Sequence, residues 1–363
     1  MEIERLLKKS LELKASDLHI VAGLPPAFRI DGDLILSTEE EVITSETAKR
    51  IFYEFMTEDQ HKIFENDYSI DMALKVDQLG NFRVNIFHQN NGHAAVFRIV
   101  PEHVPTLDEI GAPPVLKRLL MMPHGIVLVT GPTGSGKSTT LAAMVNYVNS
   151  TRTSHIITIE DPIECIHESQ KSTVNQLQIG RDTSSFASAL RSSLRQDPDI
   201  IMLGEMRDLE SIRLALTAAE TGHLVLSTLH ASTAAITISR IVDIFPTEER
   251  NRVRNILSET IQGVVCQSLV KKTTGGRTAA YEVLLATPAI RHLISQGMNS
   301  HIESTMQTSG DMGMFTLETS LKDLIGKGVI SKTVGNAVLQ SRDALKFAEG
   351  GAGGGSKSGR PQR

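Results

Sequence analysis

Residues 131–138 read Gly-Pro-Thr-Gly-Ser-Gly-Lys-Ser, and no other stretch constrains the fold as tightly. The spacing G-x-x-x-x-G-K-[ST] lies between a short apolar run, 126–130, and a segment of helical period, 138–148. Gly131, Gly134 and Gly136, with Pro132, Thr133, Ser135 and the following Thr139, make a loop whose backbone N–H groups can curl around phosphates. The helix that follows adds its positive end. Lys137 is placed to pair with β and γ oxygens, and Ser138 to ligate magnesium. ATP and Mg²⁺ are the cofactors this implies.

A phosphate loop of this kind needs a strand that feeds a helix, and the chain from 115 onward repeats that pattern. Apolar runs at 126–130, 155–159, 200–203 and 224–228, with a later one at 281–285, alternate with helical segments at 138–148, 186–195 and 211–221. This is the signature of an α/β fold with a parallel sheet wrapped by helices. Beyond Pro246, Val253, Ile256, Leu257, Thr260, Val264 and Val265 fall on one face of an expected long helix.

The strand ends are unusually polar, and in open α/β sheets that edge binds ligands. The run ending at Ile159 continues into Glu160, Asp161, Pro162, Ile163 and Glu164, three carboxylates of which one could polarise an attacking water. The run ending at Leu203 continues Gly204-Glu205, where most phosphate-loop enzymes place an aspartate; this separates the chain from kinases and small GTPases. Glu205 is expected to meet the metal through a coordinated water, because Mg²⁺ gives up its hydration shell reluctantly. His230 follows the run at 224–228 on the ligand edge, a place from which to sense the γ-phosphate. His223 precedes the same run and could join a site only by reaching a neighbouring subunit.

Residues 1–100 read as a smaller mixed α/β domain, with strands expected at 17–21, 27–30, 82–87 and 94–100 and a helix at 45–56. Four prolines within 101–114 mark a linker, 115–347 a second domain, and the Gly-rich 348–363 a disordered tail. A net charge of −5, no tryptophan and 4% aromatics leave little for nucleic-acid binding. No apolar run approaches a membrane span, and the N-terminal helix is amphipathic rather than a secretory signal, so membrane contact is expected to be peripheral. Two cysteines with no C-x-x-C pair suit a reducing cytoplasm.

Four segments together, VTGPTGSGKST, ITIEDPIE, IIMLGEMRD and LSTLHAS, resemble the secretion and type IV pilus ATPase superfamily. The likeness to its twitching-motility retraction branch, the PilT-type ATPases, extends through ASDLHI, FRVNIF, AVFRIV, LALTAAETGHLV and TPAIRHLI. It implies a homo-hexameric ring with a PAS-like N-terminal domain and a RecA-like ATPase domain. The motor would work at the cytoplasmic face of the inner membrane, on a pilus platform protein. It also implies Glu164 as the water-activating glutamate, Glu205 at the metal, and His223 with His230 as a histidine box. Arg83 and Arg98 stand where the family's N-terminal domain supplies arginines to the nucleotide. The segment 289–296 departs from the branch by losing a second arginine and a final acid. The alternatives are an assembly or secretion ATPase and an accessory retraction paralogue. Assembly relatives commonly carry a longer N-terminal extension and a tetracysteine zinc site, whereas this chain reaches ASDLHI almost at once.

Overall fold

The computed structural model describes residues 2–100 and 103–350, and the chain divides between His103 and Val104 into two units. The first contains α1 (Glu2–Glu12), β1 (Asp17–Val21), β2 (Ala27–Ile30), β3 (Asp33–Leu36), α2 (Ser45–Phe55), α3 (Glu58–Asp67), β4 (Ser69–Val76), β5 (Gly80–Gln89) and β6 (Gly92–Val100). Its strands form a six-stranded antiparallel sheet in the order β3-β2-β1-β6-β5-β4. Alternation along each strand assigns the faces. Leu18, Ile20, Phe28, Val84, Ile86 and Phe97 enter a core completed by Ile3 and Leu7 of α1 and Phe52 of α2. The β2–β3 hairpin turns at Asp31 and Gly32, both at positive φ, as a two-residue turn of the twisted type requires. α1 is fastened to the loop after β3, where Arg5 grips both oxygens of Glu40 at 2.8 and 2.6 Å and Lys9 reaches Glu39 at 2.8 Å.

The second unit contains α4 (Val115–Leu119), β7 (Gly125–Thr130), α5 (Lys137–Thr151), β8 (His155–Glu160), β9 (Thr173–Gln178), α6 (Phe186–Ser193), β10 (Ile200–Leu203), α7 (Leu209–Glu220), β11 (Leu224–Leu229) and α8 (Ala234–Asp243). It continues through α9 (Arg250–Thr260), β12 (Ile261–Lys271), β13 (Arg277–Leu285), α10 (Pro288–Ser295), α11 (Ile302–Gln307), α12 (Leu317–Gly326) and α13 (Lys332–Gly350). The seven-stranded sheet runs β13-β12-β7-β11-β10-β8-β9. Six of these strands are parallel, and β13 returns antiparallel along β12. β7, β10 and β11 are buried at every residue, as strands covered on both faces must be.

Two expectations from the sequence are corrected. The helix expected to run through Val265 ends at Thr260, and 261–271 form β12 instead. Periodicity alone cannot separate a buried strand from a helix over a short apolar run, and Gly263 with β-branched Val264 and Val265 favours the strand. Residues 348–350, expected in the Gly-rich tail, belong to α13, and the rest of that expected tail, 351–363, lies outside the described residues.

Candidate active site

The phosphate loop joins β7 to α5 and is pressed against β12. A side chain at Gly131 would meet the Gln267 carbonyl oxygen at 2.4 Å and Ser135 Oγ at 2.6 Å, and one at Gly136 would meet Gln267 Nε2 at 2.8 Å. Both glycines also hold positive φ, at 149° and 88°. Gln267 is buried, and its Oε1 accepts from the Thr140 hydroxyl at 2.7 Å, which pins the first turn of α5. No side chain caps α5 at Gly136, so its leading N–H groups remain open to an anion. Ser138 and Thr139 are exposed there, while Ser135 Oγ is buried without a hydrogen-bond partner.

Lys137 Nζ donates to the carbonyl oxygens of Gly131 and Pro132, each at 3.0 Å, and stands 3.5 Å from His230 Nδ1. Burial lowers its pKa, and Glu205 opposes the shift. His230 Nε2 lies 3.0 Å from Glu205 Oε1, and Arg207 Nε donates to Glu205 Oε2 at 2.9 Å. Lys137, His230 and Glu205 therefore converge at the start of α5 from the ends of three adjacent parallel strands, β7, β11 and β10.

Glu164 sits in the loop after β8, its carboxylate held by no hydrogen bond or ion pair among the described residues. Its N–H donates to Glu160 Oε2 at 3.4 Å. Burial pushes the Glu160 carboxyl up, against hydrogen bonds from Thr158 at 2.7 Å and Gln176 at 3.1 Å. Gln176 also donates to the Cys165 carbonyl at 2.9 Å and accepts from the His167 N–H at 2.8 Å, so one side chain of β9 fixes the loop on both sides of its turn. Sequence reasoning missed Gln176 and Gln267, because a buried amide in a strand carries no motif.

His223 lies at the opposite end of β11, its ring 2.9 Å from the Ala218 carbonyl, and it is not brought to the other residues within this chain. Arg83 and Arg98 belong to the first unit, where they are register partners across β5 and β6. Asp17 pairs with Arg98 on one side and Arg29 on the other, so Arg29, Asp17, Arg98 and Arg83 form one row across four strands. Arg98 Nε donates to Asp17 at 2.8 Å, Arg29 stands 3.8 Å from it, and Arg83 stands 3.8 Å from Asp71. Burial pushes the Asp17 carboxyl up, but hydrogen bonds from Ser16 and Arg98 outweigh it and hold it below its ordinary value.

A cavity of about 450 Å³ flanks the phosphate loop, lined by Pro132, Ser135, Ser268, Leu269, Val338 and Arg342 among others. It is wide enough for a base and sugar beside a phosphate site.

The family described as Type II/IV secretion system protein matches residues 1–331. The type IV pilus retractation ATPase PilT of Pseudomonas aeruginosa is 53% identical over 332 residues, which is 92% of this chain and 96% of that one. A twitching motility protein of Neisseria gonorrhoeae is 45% identical over 94% of this chain and 91% of its own length. The crystal structure of the pilus retraction motor PilT with bound ADP superposes with a TM-score of 0.83 at 44% identity, covering 93% of this chain and 96% of that chain. Likeness of this extent, running through both units and every strand end that forms the site, shows that the chain belongs to the type II/IV secretion ATPase family as a pilus retraction ATPase that drives twitching motility.

Proposed function

We propose that Lys137, His230 and Glu205 bind and read the γ-phosphate of ATP, and that Glu164 takes the proton from the attacking water. The observation that carries this reading is the convergence of the first three at the uncapped start of α5. The open N–H groups take phosphate oxygens, and Lys137 leaves two loop carbonyls to pair with them. The Glu164 carboxylate, without another partner among the described residues, accepts a proton as water oxygen bonds to the γ-phosphorus. The bond to the β–γ bridging oxygen breaks and its electrons leave with ADP. Base and sugar occupy the cavity beside Leu269.

The donor set suits Mg²⁺: the exposed Ser138 hydroxyl and the Glu205 carboxylate are few and hard, and no cluster of three His, Cys, Asp or Glu exists among the described residues. An ion that keeps its waters needs no more. Ser138 would hold it directly and Glu205 through water; when bound, it neutralises charge on the β and γ oxygens.

We further propose a homo-hexamer docked on an inner-membrane platform protein at the cytoplasmic face, with Arg83 and Arg98 supplying charge to the nucleotide and His223 acting across a subunit boundary. Support comes from the family and from the paired geometry of the two arginines, a like-charged couple suited to an anion. No helix among the described residues is long and apolar enough to cross a membrane, which fits peripheral attachment. The N-terminal unit as a PAS-like domain and the C-terminal unit as a RecA-like motor complete the reading. Mixing Lys137→Ala with Arg98→Ala subunits tests it: recovery of ATPase activity is expected if the arginines act across a boundary, and no recovery at any ratio overturns that part.

A further inference from the structure

Beneath the phosphate loop a polar row crosses the sheet. Glu282 on β13 stands opposite Cys266 on β12, Cys266 opposite Thr130 on β7, and Thr130 opposite Leu229 on β11. Thr130 immediately precedes Gly131 and Leu229 immediately precedes His230, so the row ends directly under the two sides of the nucleotide site. The Thr130 hydroxyl donates to Cys266 Sγ at 3.1 Å, and Thr237 of α8 donates to Thr130 at 3.5 Å. All of these side chains are buried.

Glu282, only 2% exposed, gathers three helices. Its Oε1 accepts from the N–H of Ala234, the first residue of α8, at 2.9 Å, and its Oε2 from the N–H of Leu317, the first residue of α12, at 3.4 Å. The third partner is the buried guanidinium of Arg342 on α13. Two helix N-termini and a guanidinium offset the cost of burying the carboxylate. Apolar residues of similar volume would hold the fold as well, since a buried ion pair seldom adds stability over good packing. What the carboxylate adds is direction.

That direction concerns α8. Three residues separate His230 from Ala234, and two of them, Ala231 and Thr233, are buried. Thr233 caps α8 by accepting from the Ile236 N–H, and Arg240, two turns along α8, donates to the His230 carbonyl. His230 is thus held from both ends by α8, and α8 is aimed by Glu282. We infer that Glu282, clamped by Arg342, is a positioning residue for hydrolysis, and that α13 is part of the catalytic apparatus through it. The inference rests on the reading of His230 as a γ-phosphate contact.

The test measures kcat and KM for ATP in the full-length assembled enzyme, with folded fraction checked by thermal unfolding. Glu282→Gln is expected to lower kcat about tenfold while KM stays within about twofold; Arg342 also lines the cavity beside Leu269, so its variants are read on kcat alone, with Arg342→Met expected to lose about tenfold and Arg342→Lys to recover most of the loss. Because the effect runs through His230, adding Glu282→Gln to His230→Ala should cost nothing further. If Glu282→Gln does not fold, the Arg342 pair carries the same comparison, since it leaves both helix contacts of Glu282 intact. Folded variants with wild-type kcat overturn the inference, as do losses that multiply with that of His230→Ala. A wild-type rate in His230→Ala alone would instead remove the site reading, and the inference would fall with it.

Discussion

Lys137 Nζ and His230 Nδ1 stand 3.5 Å apart over the first turn of α5, one from the phosphate loop and the other from the end of the neighbouring strand. Among the described residues Lys137 otherwise donates to two backbone carbonyls, and burial disfavours its charge until an anion arrives. Lys137→Ala should therefore leave the fold intact and abolish hydrolysis, a loss of several kcal/mol of transition-state stabilisation. Circular dichroism beside a phosphate-release assay checks both halves; turnover at the wild-type rate would remove Lys137 from the site.

Glu164→Gln and Glu205→Gln should fail in different ways. The first removes a carboxylate with no other partner among the described residues, so ATP should bind with near-normal affinity and persist unhydrolysed, with kcat down by about 10² or more. The second also frees His230 and Arg207, so it should weaken the magnesium dependence of nucleotide binding. Calorimetric titration with and without magnesium separates them, and identical behaviour would refute the division of roles.

Arg291 caps a helix that is not its own. Its guanidinium donates to the Ser258 and Glu259 carbonyls at 2.6 and 2.7 Å and to Gln262 Oε1 at 3.1 Å, closing the end of α9 where the chain turns into β12. Arg291→Ala should cost about 1–3 kcal/mol, because three acceptors lose a charged donor. Urea denaturation measures it, and a change within about 0.5 kcal/mol would show the contacts to be idle.

The fastening of α1 should weaken in acid. Arg5 above all, and Lys9, hold the Glu40 carboxyl down to about 2 from its ordinary 4.5. A depressed pKa contributes stability that is fully present above the unfolded value and is lost as pH falls toward the folded one. Protection of α1 amides against hydrogen exchange in the full chain should thus decline between about pH 4.5 and 2 more steeply than in Glu40→Gln. Parallel decline in both proteins would exclude this ion pair as the cause.

What could be read in advance follows from where each kind of information resides. The phosphate loop, Glu205 and His230 were legible because their chemistry is local: a strand end and a helix start lie within a few residues. β12 was misread as helix, since Val264 and Val265 satisfy either period and only the neighbouring β7 decides between them. β3, β4 and β9 were not anticipated; the apolar run of β3, Leu34, Ile35 and Leu36, is only three residues long and lies exposed, and β9 is nowhere fully buried. Asp17, Gln176, Gln267 and Glu282 act on partners up to 81, 16, 127 and 60 positions away in sequence, and nothing in their immediate surroundings signals it.

The contact between the phosphate loop and Gln267 bears on how the chain can be divided. A fragment ending after His230 would carry every recognisable nucleotide motif, yet it would lack the strand against which Gly131 and Gly136 are moulded and the amide that pins Thr140. Its β7 would be an open edge, and the loop would lose the wall that gives it shape. The loop therefore takes its shape from residues beyond 260, and a chain that ends before them, with all its signature segments complete, is expected to bind ATP poorly.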